Sequence, residues 1–96
     1  MAGDRTVEWS YQAMEQVDSI KQFILSQWSV REVDVFLDLL REFEQLVMRF
    51  PNGYQRSLIY PGCRRAVIHP NISVVYKVIG DTINVVTVYD NRSSVS

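Results

Sequence analysis

Cysteine and histidine each occur once in this 96-residue chain, as Cys63 and His69. One cysteine excludes an internal disulfide, and this pair leaves too few ligands for a tetrahedral metal site, so neither metal nor cofactor is expected. The two also fail as a nucleophile and base. Along one extended run they stand roughly 20 Å apart at ~3.3 Å per residue, too far to bond. No apolar run approaches the ~20 residues of a membrane-spanning helix, which excludes a membrane partner of that kind. The opening MAGDRTVEWS lacks the basic-then-apolar pattern of a secretory leader, so the cytoplasm is the expected compartment. The four glycines, Gly3, Gly53, Gly62 and Gly80, stand apart at a terminus or at turns, and no glycine-rich phosphate loop exists. A net charge of −1 and a pI near 5.7 exclude a basic nucleic-acid-binding domain, whose pI ordinarily exceeds about 9.

What is present is uneven charge. Residues 1–50 carry five basic and nine acidic side chains; residues 51–96 carry five basic (Arg56, Arg64, Arg65, Lys77, Arg92) and two acidic (Asp81, Asp90). An acidic half beside a modestly positive half favours an anionic partner over one surface. A chain of this length supports one two-layer core, so residues 1–96 form a single domain.

The hydrophobic pattern assigns the layers. Residues 5–9 alternate polar and apolar and read as a short strand, with Ser10 as the N-cap of a helix. Ala13, Val17, Ile20, Ile24 and Trp28 then recur at helical spacing, giving a helix over about Tyr11–Gln27 widened by Met14 and Phe23. Ser29-Val30-Arg31-Glu32 is a capping-box sequence and opens a second helix through about Arg49. Val33, Phe36, Leu37, Leu40, Phe43, Val47 and Phe50 share its apolar side; Pro51-Asn52-Gly53 ends it. The short break makes the pair an antiparallel hairpin. Residues 55–60 read as a loop or a short edge strand. Cys63–His69, Ile72–Ile79 and Thr82–Tyr89 are rich in Val, Ile, Thr and Tyr and are separated by Pro70-Asn71 and Gly80-Asp81, the pattern of an antiparallel meander. The fold class is α+β: a two-layer sandwich with an N-terminal strand, an α-helical hairpin and then an antiparallel three-strand meander. The first strand is expected to join the meander, since alone its backbone stays unpaired.

The candidate chemistry is cationic. Arg64, Arg65, Lys77 and Arg92 punctuate the sheet and form the candidate target-binding set, suited to stabilising a charged phosphorane. Proton-transfer candidates are weaker: Tyr76, Tyr89 or His69. Leu39 and Leu46, seven apart, lie off the main stripe of the second helix.

In order and spacing the chain resembles the RelE/ParE superfamily of toxins from bacterial type II toxin–antitoxin systems. The likeness rests on VEWS before Ala13, the helical hairpin, the stop at Pro51-Asn52-Gly53, the arginine-bearing strand, ISVVYKV with Tyr76, the turn at Gly80-Asp81, and INVVTVYDNR. The resemblance implies a cognate antitoxin whose C-terminal segment folds over the toxin, with Leu39, Leu46 and Leu58 as its expected contacts. It also implies a homodimer or a toxin–antitoxin hetero-oligomer. In the branch that cleaves mRNA on the ribosome, an arginine matching Arg64, with Arg65 next, stabilises phosphate; the catalytic set would be Arg64, Arg65, Tyr89 and Arg92. The proton-transfer position at the end of the last strand holds Asp90, Asn91 and Arg92 instead. The ParE branch, implicated in poisoning DNA gyrase, fits that departure and the low pI better. Three readings follow: a ParE-like toxin acting by binding, a RelE-like endoribonuclease, and a degenerate, non-toxic interaction module.

Overall fold

Ser10 sets the first helix. Its backbone is extended, its Oγ accepts a hydrogen bond from the Ala13 amide at 2.9 Å, and its hydroxyl donates to the Val86 carbonyl at 2.8 Å. One residue thus caps the helix and ties its start to the sheet. The computed structural model describes residues 5–90 of the chain. Within them run β1 (Thr6–Trp9), α1 (Tyr11–Gln27), α2 (Val30–Arg49), β2 (Gln55–Arg56), β3 (Arg64–His69), β4 (Ile72–Ile79) and β5 (Thr82–Asp90).

The strands form one five-stranded sheet in the order β1-β5-β4-β3-β2. β3, β4 and β5 are the expected meander. The short strand β2 adds to β3 antiparallel, which resolves residues 55–60 into a two-residue edge strand followed by a loop. β1 joins the opposite edge and lies parallel to β5, with Thr6 beside Thr82 and Trp9 beside Val85. The helical hairpin carries the chain from β1 to the opposite edge of the sheet at β2, and the meander then brings it back beside its own first strand. Gly80 has a φ of +60° at the first position of the two-residue turn joining β4 and β5, a conformation glycine adopts without the Cβ penalty.

Both helices cover one face of the sheet. Ala13, Ile20 and Ile24 of α1 and Phe36, Leu40, Phe43 and Val47 of α2 pack on Ala66, Ile72, Val74, Tyr76, Ile83, Val85 and Val88. The edges of the expected stripes are wetter. Met14, Trp28 and Phe50 are each at least half exposed, the last two because they are the C-caps, where the helical spiral that aimed the stripe has ended. The second helix start also differs from the capping-box expectation. Ser29 donates its hydroxyl to the Glu32 carboxylate, and its own side chain makes no cap hydrogen bond to the helix amides. That hydrogen bond holds the exposed Glu32 carboxyl below its ordinary pKa.

Candidate functional site

The cations gather where β3 begins. Pro51-Asn52-Gly53 stops α2, and the chain drops into β2, where Arg56 stands directly opposite Arg64 of β3. The connecting loop, residues 57–63, ties itself together. Ser57 Oγ accepts from the amides of Ile59 and Tyr60 at 3.1 and 2.9 Å, the Ser57 amide donates to the Cys63 carbonyl at 2.9 Å, and the Cys63 amide donates to the Tyr60 carbonyl at 3.1 Å. Gly62, at φ +76°, supplies the left-handed residue that closes the loop. Arg64 pairs with Tyr76, so Lys77 and Val78, next along β4, have no β3 partner. In that gap lies a cleft of about 380 Å³, lined by Arg56, Arg64 and Lys77 with Asn52, Ser57 and the buried Cys63. Strand alternation places Arg64 on the helix-covered side of the sheet and Lys77 on the other. The missing pair lets both reach the same space. No carboxylate lines it among the described residues.

Arg64 is held from behind. Its Nη1 donates to the Tyr54 carbonyl at 2.7 Å, and beneath it Phe43, Tyr54 and Tyr76 form a ring cluster with centroids 5.7–6.1 Å apart. Tyr76 is fully buried, and its hydroxyl donates to the Pro51 carbonyl at 2.7 Å. Burial pushes the Tyr76 phenol up to about 12, only partly opposed by the nearby Arg64 charge. Burial, and then the Glu42 charge, also raises Tyr54. Each tyrosine therefore stays protonated through the physiological range.

The sequence-derived residues scatter around this centre. Arg64 and Lys77 share the cleft. Arg65, exposed, points to the face away from the helices, opposite Gln55 and Val75. Tyr89 pairs with Ser73, three positions along β4 from Tyr76, so it does not join Arg64. Arg92 and Asn91 lie outside the described residues. Asp90 is buried at the Ile72 end of the sheet, the end opposite the cleft. His69 is also at that end, its Nδ1 accepting from the Asn71 amide at 3.1 Å. It lines an apolar groove of about 250 Å³ with Trp28, Val35, Phe36 and Leu39. Cys63 and His69 thus flank β3 at its two ends. Leu46 is 40% exposed on α2, while Leu58 is 99% exposed in the loop beside the cleft, so the three leucines do not form one patch.

Sequence reasoning passed over Arg56, Asn52 and Ser57. The signal for Arg56 was weak but present: two short polar-flanked segments joined through Pro61-Gly62 can pair as a hairpin, which sets Arg56 against Arg64.

Residues 7–94 match the family described as ParE toxin of type II toxin-antitoxin system, parDE. Among solved structures, the chain is similar to the chromosomal ParDE toxin–antitoxin system from P. aeruginosa at 17% identity, covering 90% of this chain and 95% of that one, with a TM-score of 0.77. It is similar to YafQ from E. coli strain BL21(DE3) at 15% identity, covering 97% and 100%, with a TM-score of 0.63. The E. coli DinJ-YafQ complex gives 13% identity over the same shares and a TM-score of 0.61. These likenesses establish a common fold. No curated protein matches in sequence.

Proposed function

This chain belongs to the ParE toxin family of type II toxin–antitoxin systems, and on that premise we propose that it arrests growth by binding its target, DNA gyrase, through the cationic cleft. A cognate antitoxin, laid over the helical layer, neutralises it; the ParDE and DinJ-YafQ structures are of toxin–antitoxin systems, which supports such a partner.

The observation that carries binding over catalysis is Tyr76. Metal-free RNA cleavage needs an acid and a base poised near neutral pH as well as cations. Here the phenol opposite Arg64 is buried, committed to the Pro51 carbonyl and raised to about 12, and His69 sits at the far end of β3. Among the described residues, cations are concentrated at the cleft, while Tyr76 and His69 are held elsewhere.

Induced expression, read simultaneously for transcript integrity and DNA damage, tests the reading. Growth arrest with an SOS response and intact bulk mRNA is expected, and Arg64→Ala should relieve it. Rapid transcript cleavage at ribosomes would overturn it. The endoribonuclease reading draws on one observation, the convergence of Arg56, Arg64 and Lys77 into a site able to stabilise a phosphorane. It requires Arg64→Ala to lower cleavage by roughly 10²–10³-fold. An absence of any growth phenotype would favour the non-toxic module.

A further inference from the structure

We infer that the cleft and the loop tip beside it together receive an acidic, aliphatic-bearing peptide segment of the target protein; this rests on the cleft being the target-binding site.

Three observations point to a peptide. The first is uncompensated charge. Arg56 and Arg64 are direct cross-strand neighbours, an arrangement that opposes pairing when the charges are alike, and Lys77 adds a third cation with no lining carboxylate among the described residues. Neither Arg56 nor Lys77 forms an ion pair among the described residues. The Tyr54 carbonyl fixes one nitrogen of Arg64 and leaves the rest of its fork for a carboxylate, which it can grip with two hydrogen bonds.

The second is the loop tip. Leu58 is 99% and Ile59 72% exposed, and both directly follow Ser57, which lines the cleft. Their backbone is fixed by the Ser57 hydroxyl and by the Ser57–Cys63 and Cys63–Tyr60 hydrogen bonds, so the two aliphatic side chains are presented on a closed turn. Apolar groups displayed this way lose little further freedom on binding.

The third separates peptide from nucleic acid. A single-stranded nucleic-acid site combines cations with aromatic rings on which bases stack. No aromatic side chain lines this cleft among the described residues, and the two most exposed side chains of the loop beside it, Leu58 and Ile59, are aliphatic, with Tyr60 half-buried. Carboxylates in the cleft with a Leu- or Val-type side chain on Leu58 and Ile59 match this chemistry. The charge pattern also orients the partner, because the helical half of the chain is acidic and repels the same segment.

The test uses the full-length protein and fluorescence anisotropy with two probes: a fluorescein-labelled peptide of sequence LEELDEL, and a labelled single-stranded hexanucleotide, as DNA and as RNA. The peptide should bind and the hexanucleotides should not. Leu58→Ser and Lys77→Glu, both at exposed positions, should each weaken the peptide at least tenfold with unchanged circular dichroism, and added salt should weaken it further. Hexanucleotide binding without peptide binding, or peptide binding indifferent to both substitutions, overturns the inference. Growth arrest by the same variants distinguishes the two levels. If the peptide does not bind but Lys77→Glu still abolishes arrest, this inference falls and the function proposed for the cleft stands; if arrest survives both substitutions, the function falls with it.

Discussion

Replacing Tyr76 by Phe separates a structural tyrosine from a catalytic one. The ring stays, and with it the contacts to Phe43 and Tyr54; what leaves is the hydroxyl and its 2.7 Å hydrogen bond to the Pro51 carbonyl. Losing one such bond costs about 1 kcal/mol, nearer the low end if water reaches the carbonyl, and Pro51 is only half-buried. In a domain of this size that lowers Tm by roughly 4–8 °C. The substitution also changes the alkaline limb. Tyr76 ionises near 12 in the fold against 10.0 for a free phenol, so the fold prefers the protonated form. Its contribution is complete below pH 10 and fades as pH climbs through 12, worth at most about 2.7 kcal/mol for two pH units. Urea unfolding followed by Trp9 and Trp28 fluorescence should therefore show Tyr76→Phe less stable at pH 7, with the gap to the unsubstituted protein narrowing above pH 10. Absorbance titration at high pH should lose its latest-ionising phenol. Growth arrest should persist at expression levels matched for folded protein. Arrest abolished in a variant that remains folded would refute the reasoning, because the hydroxyl would then be acting on a substrate.

The two serine caps predict unequal penalties. Ser10→Ala removes a hydrogen bond to Ala13 and one to Val86 and should cost about 1–2 kcal/mol by urea unfolding, whereas Ser29→Ala, which removes only an exposed contact to Glu32, should cost a few tenths. Arg56→Gln should leave the protein as stable or up to about 1 kcal/mol more stable, since it removes a like-charge pair, while weakening growth arrest; a destabilised variant would show that Arg56 serves the fold.

The helices and the meander were legible because their signals are local. The Ala13–Ile24 periodicity and the Ser10 cap gave α1 its observed bounds, Tyr11–Gln27, and Gly80-Asp81 gave the β4–β5 hairpin, though not the register shift farther along it at Val75/Tyr76. The parallel seat of β1 was not legible, because four alternating residues carry no information about which strand, seventy-odd residues later, they pair with. The Ser29 cap misled for a different reason. A capping box has the serine hydroxyl accept from the N3 amide, but the same hydroxyl can instead donate to the N3 carboxylate, and the sequence does not rank the two. Arg56 was hidden by brevity, since a two-residue strand shows no periodicity. Arg65 was included because adjacency on a strand resembles proximity, although successive side chains leave on opposite faces.

That last point explains why the candidate site sits where the β3–β4 ladder ends. A continuous β3–β4 ladder would keep Arg64 and Lys77 on opposite faces, separated by the sheet itself. Ending the ladder at the Arg64–Tyr76 pair removes that wall, and the self-bonded loop from Ser57 to Cys63 holds the opening apart. The ring cluster beneath then has two duties. It buries Tyr76 in the core, and through the Tyr54 carbonyl it fixes the guanidinium at the floor of the opening. Packing in the core therefore sets the aim of the charge, and a substitution at Phe43 should disturb target binding without touching the target.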